Sequence, residues 1–229
     1  MNQFDQAVVK TRESILATNK VLKNTYMLLS ATLLFSALMA FVGGAVVPYQ
    51  NVAMVSIGST IGAFVILFFV LPRYEESSGI GGLVVTFLFT GLLGFGLGPL
   101  LSMIMQYSAN GAQIVSTALG GTGVIFLALS GYVLMTRKDF SFLAGFLFAG
   151  LIIVILAAIM AMFMNITGLS LIVNVAVLFL FSGFILFDTS RIIHGGEDNY
   201  IRATVGLYIN IYNIFTALLH ILMSFSGND

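Results

Sequence analysis

Asp188 is the one acidic residue inside a long apolar stretch of this chain, and Asn210, Asn213 and His220 fall in the apolar stretch that follows it. An ionisable side chain among hydrocarbon is costly. Such residues face a bundle interior or a wet cavity, where they hold protons, ions or partner helices. Two readings of Asp188 stand open: a functional carboxyl, or a shallow one that pairs with Arg191, about one helical turn further on. Burial favours its neutral form and a neighbouring guanidinium its charged form. At ~100° per residue, Ala203, Gly206, Asn210, Asn213, Ala217 and His220 share one arc of the last stretch. Tyr208, Tyr212, Phe215 and Leu219 lie opposite. A helix with a small, polar stripe and an aromatic stripe is expected to be enclosed by other helices, and its amides need partners in a dry core. The short link 195–199 makes the last two stretches a hairpin, which sets Asp188 and Asn210 at similar depth. His220 lies toward the far end and reads as a packing residue rather than a ligand.

Catalysis finds no constellation. His194 and His220 fall at opposite ends of the hairpin, and no serine near either has an acid as third partner. There is no cysteine, which removes disulfides, thiolate metal sites and thiol nucleophiles. The histidines are not spaced as a zinc-binding pair. A formal net charge of zero argues against nucleic acid. No enzyme activity, cofactor or metal site is expected.

Lipid must be the solvent for much of the surface. The chain has 229 residues, 59% hydrophobic and 8% charged, whereas a soluble domain carries about 25% charged residues. Seven windows are long and apolar enough to span a bilayer, roughly 25–47, 52–72, 80–106, 113–135, 140–164, 169–190 and 201–223. Short links between them predict an all-α bundle of antiparallel neighbours. The expected organisation is a polar tail over 1–24, a seven-span domain over 25–223 and a short tail over 224–229.

Orientation follows from charge. All nine lysines and arginines lie in the N-terminal tail or in even-numbered links: Lys10, Arg12, Lys20, Lys23, Arg73, Arg137, Lys138, Arg191 and Arg202. Basic flanks stay cytoplasmic during insertion, so the N-terminus is expected inside and the C-terminus outside. Tyr26, Tyr49, Tyr74, Tyr107 and Tyr200 fall at span ends and supply an interfacial aromatic belt. No small-residue cleavage site follows the first apolar run, so no removable signal peptide is expected.

Glycine punctuates the third window (Gly91, Gly94, Gly96, Gly98, then Pro99) and the fourth (Gly120, Gly121, Gly123). Inside apolar spans these read as close helix packing, not as a phosphate cradle, which needs a strand, a tight turn and a helix start. Pro99 is expected to kink or locally break the third helix. Residues 14–22 read as a short interfacial helix or, more simply, as part of a solvated tail. Asn165-Ile166-Thr167 matches a glycosylation pattern but lies close to the membrane.

Two segments carry a resemblance. Phe184-Ile185-Leu186-Phe187-Asp188-Thr189-Ser190-Arg191-Ile192-Ile193 is similar to the hydrophobic-Tyr/Phe-Asp-Thr stretch in span six of the Bax inhibitor-1 family. Leu207-Tyr208-Ile209-Asn210-Ile211-Tyr212-Asn213-Ile214-Phe215 resembles that family's Leu-Tyr-Leu-Asp-x-x-Asn-Leu-Phe stretch in span seven. Thr86-Phe87 at a glycine-rich third span and Lys138-Asp139-Phe140-Ser141-Phe142-Leu143 ahead of the fifth fit as well. Bacterial members include a branch linked to control of a membrane-anchored AAA protease, and Tyr212-Asn213-Ile214-Phe215 looks closest to it.

The resemblance implies six spans around a central seventh, in a bacterial inner membrane. It also implies a pH-sensing aspartate pair that gates a calcium leak, with a latch arginine at the inner end of span two. Asp188 matches the first aspartate. Asn210 stands at the second position, and Arg73 matches the latch, with Glu75 and Glu76 competing for it. Two carboxylates sharing a proton titrate as a coupled pair. An Asp–Asn pair lacks that repulsion, so the sensor is expected to be blunted, and one acid is a poor calcium site. A regulatory protein acting on membrane proteolysis or stress machinery is the leading expectation. A pH-sensitive leak of calcium or another cation is the alternative.

Overall fold

The structure is a computed structural model that describes residues 3–74, 80–164 and 168–226, with side chains from Asn19 onward, Met162 excepted. Seven helices are long and apolar enough to cross a bilayer: Asn19–Val46, Tyr49–Tyr74, Ile80–Tyr107, Gly111–Thr136, Ser141–Ala161, Leu169–Ile193 and Tyr200–Ser226. They are called spans one to seven. Among the described residues there is no strand. Large apolar side chains such as Phe41, Phe146, Ile153 and Phe179 lie exposed along them, as lipid-facing positions require and a water-facing surface of this extent would not tolerate. Glu75, Glu76 and the 165–167 glycosylation pattern lie outside the described residues.

The helix of span one begins at Gln3 and runs unbroken to Val46. Residues 14–22 are therefore helical and continuous with the span. The cause is compositional: no glycine or proline occurs before Gly43, so nothing interrupts a helix once it is nucleated. Pro48 ends it, because the residue before a proline is driven out of the helical region.

Prolines act differently in spans two and three. In span two a π turn, Ile66–Val70, ends two residues before Pro72. Pro72 has no N–H for the Phe68 carbonyl, and its ring would strike that carbonyl in a regular helix. The wider turn takes up the misfit. In span three the helix continues through Pro99, so the local break admitted by the sequence does not occur.

Backbone contacts divide the chain into two compact units, Met1–Gly98 with Arg191–Tyr208, and Pro99–Ser190 with Ile209–Asp229. The first unit is held by small residues. A Cβ placed on Gly94 would strike the Ser36 carbonyl, one on Gly98 the Ala40 carbonyl, and one on Gly43 the Phe95 carbonyl. Spans one and three thus approach backbone to backbone, as small residues permit in lipid. Phe95 is also the carbonyl that Pro99 leaves without its usual i+4 amide donor, and Gly43 packs directly on it. Ser56 of span two donates to the Gly96 carbonyl at 2.6 Å.

Span seven joins this unit through Tyr208. Its ring packs edge-on against Phe89, and its buried hydroxyl donates to the Thr90 carbonyl at 3.1 Å and meets the Ser36 hydroxyl at 2.6 Å. Tyr208→Phe keeps the ring and removes both bonds. It is expected to cost about 1–2 kcal/mol, read as a lower thermal midpoint in detergent. An unchanged midpoint would show that the hydroxyl bonds add nothing.

The second unit has a side-chain core: Leu147 of span five, Leu180, Phe181, Phe184, Ile185 and Phe187 of span six, and Ile214 of span seven. Here the packing expectation for the fourth-span glycines needs correction. Gly121 meets Leu218 of span seven, but a Cβ on Gly120 or Gly123 would touch nothing within 4 Å. Those two lie on an open face, because span four turns Ala118, Thr122 and Val133 inward instead.

Candidate functional site

The second unit brings Asp188 and Asn210 together. The Asn210 side-chain amide donates to Asp188 Oδ2 at 2.7 Å, across spans six and seven. Asn210 is buried and Asp188 partly so. Helical periodicity places them there: Phe184, Ile185 and Phe187 turn into the core, and Asp188 follows on the same side of its helix. A primary amide carries both a donor and an acceptor. It can donate to a carboxylate or accept from a carboxylic acid, so this pair survives either protonation state. The next residue, Thr189, is fully buried, and its hydroxyl has no hydrogen-bond partner among the described residues.

Other sequence-selected residues act locally. Asn213 donates to the Ile209 carbonyl at 2.8 Å and His220 Nδ1 lies 2.7 Å from the Thr216 carbonyl, each one turn back on its own helix. His220 is exposed. Arg73 is exposed and donates to the Phe69 carbonyl at 2.8 Å, serving the end of the π turn. Arg191 donates to the Gly196 carbonyl at 2.9 Å and sits 3.4 Å from Glu197. Span seven buries a broad face, with Thr204, Leu207, Tyr208, Asn210, Ile214, Phe215 and Leu219 all buried, while Gly206, Ile209, Asn213 and Thr216 on its other side are half-buried and His220 is exposed.

Two polar clusters escaped the sequence reading. Glu197, only 6% exposed, lies 3.4 Å from Arg191 and 3.6 Å from Arg202, and organises the link between spans six and seven. Asn199 follows it and caps span seven, accepting from the Ile201 amide at 2.8 Å. In the second unit, Ser190 takes the Phe140 amide at 2.9 Å and lies 3.3 Å from Asp139, tying the start of span five to the Asp188 segment. The available signals were an acid flanked by two arginines and a serine two residues from the lone intramembrane acid. Neither spacing predicts a contact without the turn that creates it.

A bundle of apolar helices with a carboxylate–amide pair between its last two spans defines a multi-pass membrane protein. The family model for "Inhibitor of apoptosis-promoting Bax1" matches residues 18–227, and the chain belongs to the Bax inhibitor-1 family. A Vibrio cholerae relative known as an uncharacterized membrane protein is 51% identical over 219 residues, 95% of each chain. The Escherichia coli "Modulator of FtsH protease YccA" is 43% identical over 218 residues, again 95% of each chain. A second Escherichia coli strain supplies the same match under the name "Inner membrane protein YccA". The chain is an inner-membrane member of this family.

Proposed function

We propose that this protein is a non-enzymatic regulator that modulates a membrane-anchored AAA protease of the FtsH type. The observation that carries this reading is 43% identity, across 95% of both chains, to a relative named for that role. In this reading the N-terminus and all basic links face the cytoplasm, the C-terminus lies outside, and six spans surround the seventh. The charge asymmetry and the burial of span seven support that arrangement. The part of the first helix ahead of Asn19 then forms a cytoplasmic arm suited to engaging the protease.

Removing the first ~20 residues, a terminus expected to be little tied to the bundle, should leave the thermal midpoint unchanged. In membranes containing the protease, the full chain is expected to change the turnover rate of a membrane substrate, and the truncated chain to lose most of that effect. A full chain without influence on turnover would sink the regulator reading. A truncated chain that still modulates fully would remove the arm from it.

A second reading rests on the Asp188–Asn210 bond. A carboxyl inside the bilayer, held by a neighbouring span, is a gate candidate for a cation leak, with Asn210 as its partner and Arg73 as latch. The amide at position 210 weakens this reading. It removes the second negative charge that calcium coordination favours, and among the described residues no three His, Asp or Glu side chains converge.

A further inference from the structure

Thr25 is fully buried near the start of span one, and its hydroxyl has no hydrogen-bond partner among the described residues. A threonine in a helix has two usable rotamers, and one of them returns its hydroxyl to a carbonyl about one turn back. Most buried threonines here take that bond. Thr86, Thr90, Thr122 and Thr204 each reach the carbonyl four residues back, at 2.8, 3.0, 2.7 and 2.7 Å. Thr32 reaches the Leu29 carbonyl at 2.9 Å. Thr25 forgoes the bond, so its hydroxyl is turned away from its own helix. Leaving a buried hydroxyl unpaired is costly, and buried polar groups that the protein leaves unmatched are the ones that ordered water serves.

Span seven supplies the other half of such a site. Thr204, also fully buried, donates to the Thr25 carbonyl at 3.2 Å as well as to the Tyr200 carbonyl at 2.7 Å. With its proton committed to those carbonyls, Thr204 Oγ1 keeps lone pairs that can only accept. Thr25 Oγ1 has a proton to give. A donor on span one and an acceptor on span seven thus flank one carbonyl, without bonding each other directly. Two hydroxyls carry no charge to balance an ion, which selects a small neutral ligand able to accept and donate at once.

We propose that a buried water bridges spans one and seven, accepting from Thr25 Oγ1 and donating to Thr204 Oγ1. The first unit is therefore joined there through solvent, in contrast to the backbone-on-backbone approach of spans one and three at Gly94 and Gly98.

The test uses the full chain in lipid bilayers and water-edited solid-state NMR, which reads how fast magnetisation passes from water to each threonine methyl. The Thr25 methyl is expected to receive it within about twofold of the rate at exposed Thr136, and at least about fivefold faster than Thr32, Thr86 and Thr90. Thr204→Val should lower the Thr25 transfer toward the Thr32 level. Thr25→Val removes the hydroxyl at nearly constant shape and strands the water, so the thermal midpoint should fall by about 2–4 °C. Thr122→Val is the control, because that hydroxyl serves only its own helix, and its midpoint should hold within about 1 °C.

A dry, unpaired Thr25 predicts the opposite sign: valine then removes a buried orphan and the midpoint rises. That rise, or no change, overturns the proposal. A Thr25 methyl as slow as Thr32 overturns it too, because protein rather than water then faces the hydroxyl. Transfer that persists unchanged in Thr204→Val removes span seven from the site and sinks the bridge.

Discussion

Gly98→Leu is expected to leave little folded protein. The first side-chain carbon at position 98 would already strike the Ala40 carbonyl and the Gly44 amide, both backbone atoms of span one. Backbone cannot rotate aside as a side chain can, so the two spans must separate. Separation also disturbs the neighbouring approaches at Gly94 on Ser36 and at Gly43 on Phe95. Overpacking typically costs about 1–3 kcal/mol and occasionally more, and a clash against backbone falls at the upper end, a large share of the stability of a domain. The check is the yield of monodisperse protein in detergent and its thermal midpoint. Gly120→Ala is the matched control, because nothing lies within 4 Å of its added carbon. It should be neutral or gain up to about 1 kcal/mol from helix propensity. Equal midpoints for Gly98→Ala and Gly120→Ala would refute the close approach of spans one and three.

Asn210→Asp is expected to give this pair a pH response stronger than that of the native pair. The Asn210 amide now donates to Asp188 at 2.7 Å, and it can reverse that bond if Asp188 takes up a proton. With aspartate at 210, two carboxyl groups meet at hydrogen-bond distance. They bridge the spans while they share a proton and repel once it is lost. If the bundle conducts, cation flux in liposomes should then rise with pH more steeply in Asn210→Asp than in wild type. Asp188→Asn in the same background should flatten it again. A variant whose flux remains pH-independent would remove this pair as a gate and leave the regulator reading alone.

Much of this molecule is written in its composition. Seven windows of apolar residues became seven spans, with ends within a few residues of those read from the sequence, because hydrocarbon allows few alternatives to a helix whose backbone satisfies itself. The proximity of Asp188 and Asn210 was legible for the same reason. A link of a few residues forces two helices to run side by side, and depth then follows from counting. The aromatic stripe of the seventh span also foretold a buried face, where Tyr208, Phe215 and Leu219 lie, whereas the small, polar stripe is buried at Asn210 but half-buried at Asn213 and exposed at His220.

What the tertiary structure alone decided is which faces meet. Third-span glycines pack on span one while Gly120 and Gly123 look outward, although both sets read alike as small residues in apolar helices. Composition reports that a close approach is possible; the rotation of each helix against its neighbours determines where it happens. Glu197 between two arginines and Asp139 at Ser190 likewise depend on turns and on residues about 50 positions apart. Hydropathy acts on one helix at a time and can be read along the chain. Packing and hydrogen bonding act between helices, so their outcome exists only once the helices have been brought together.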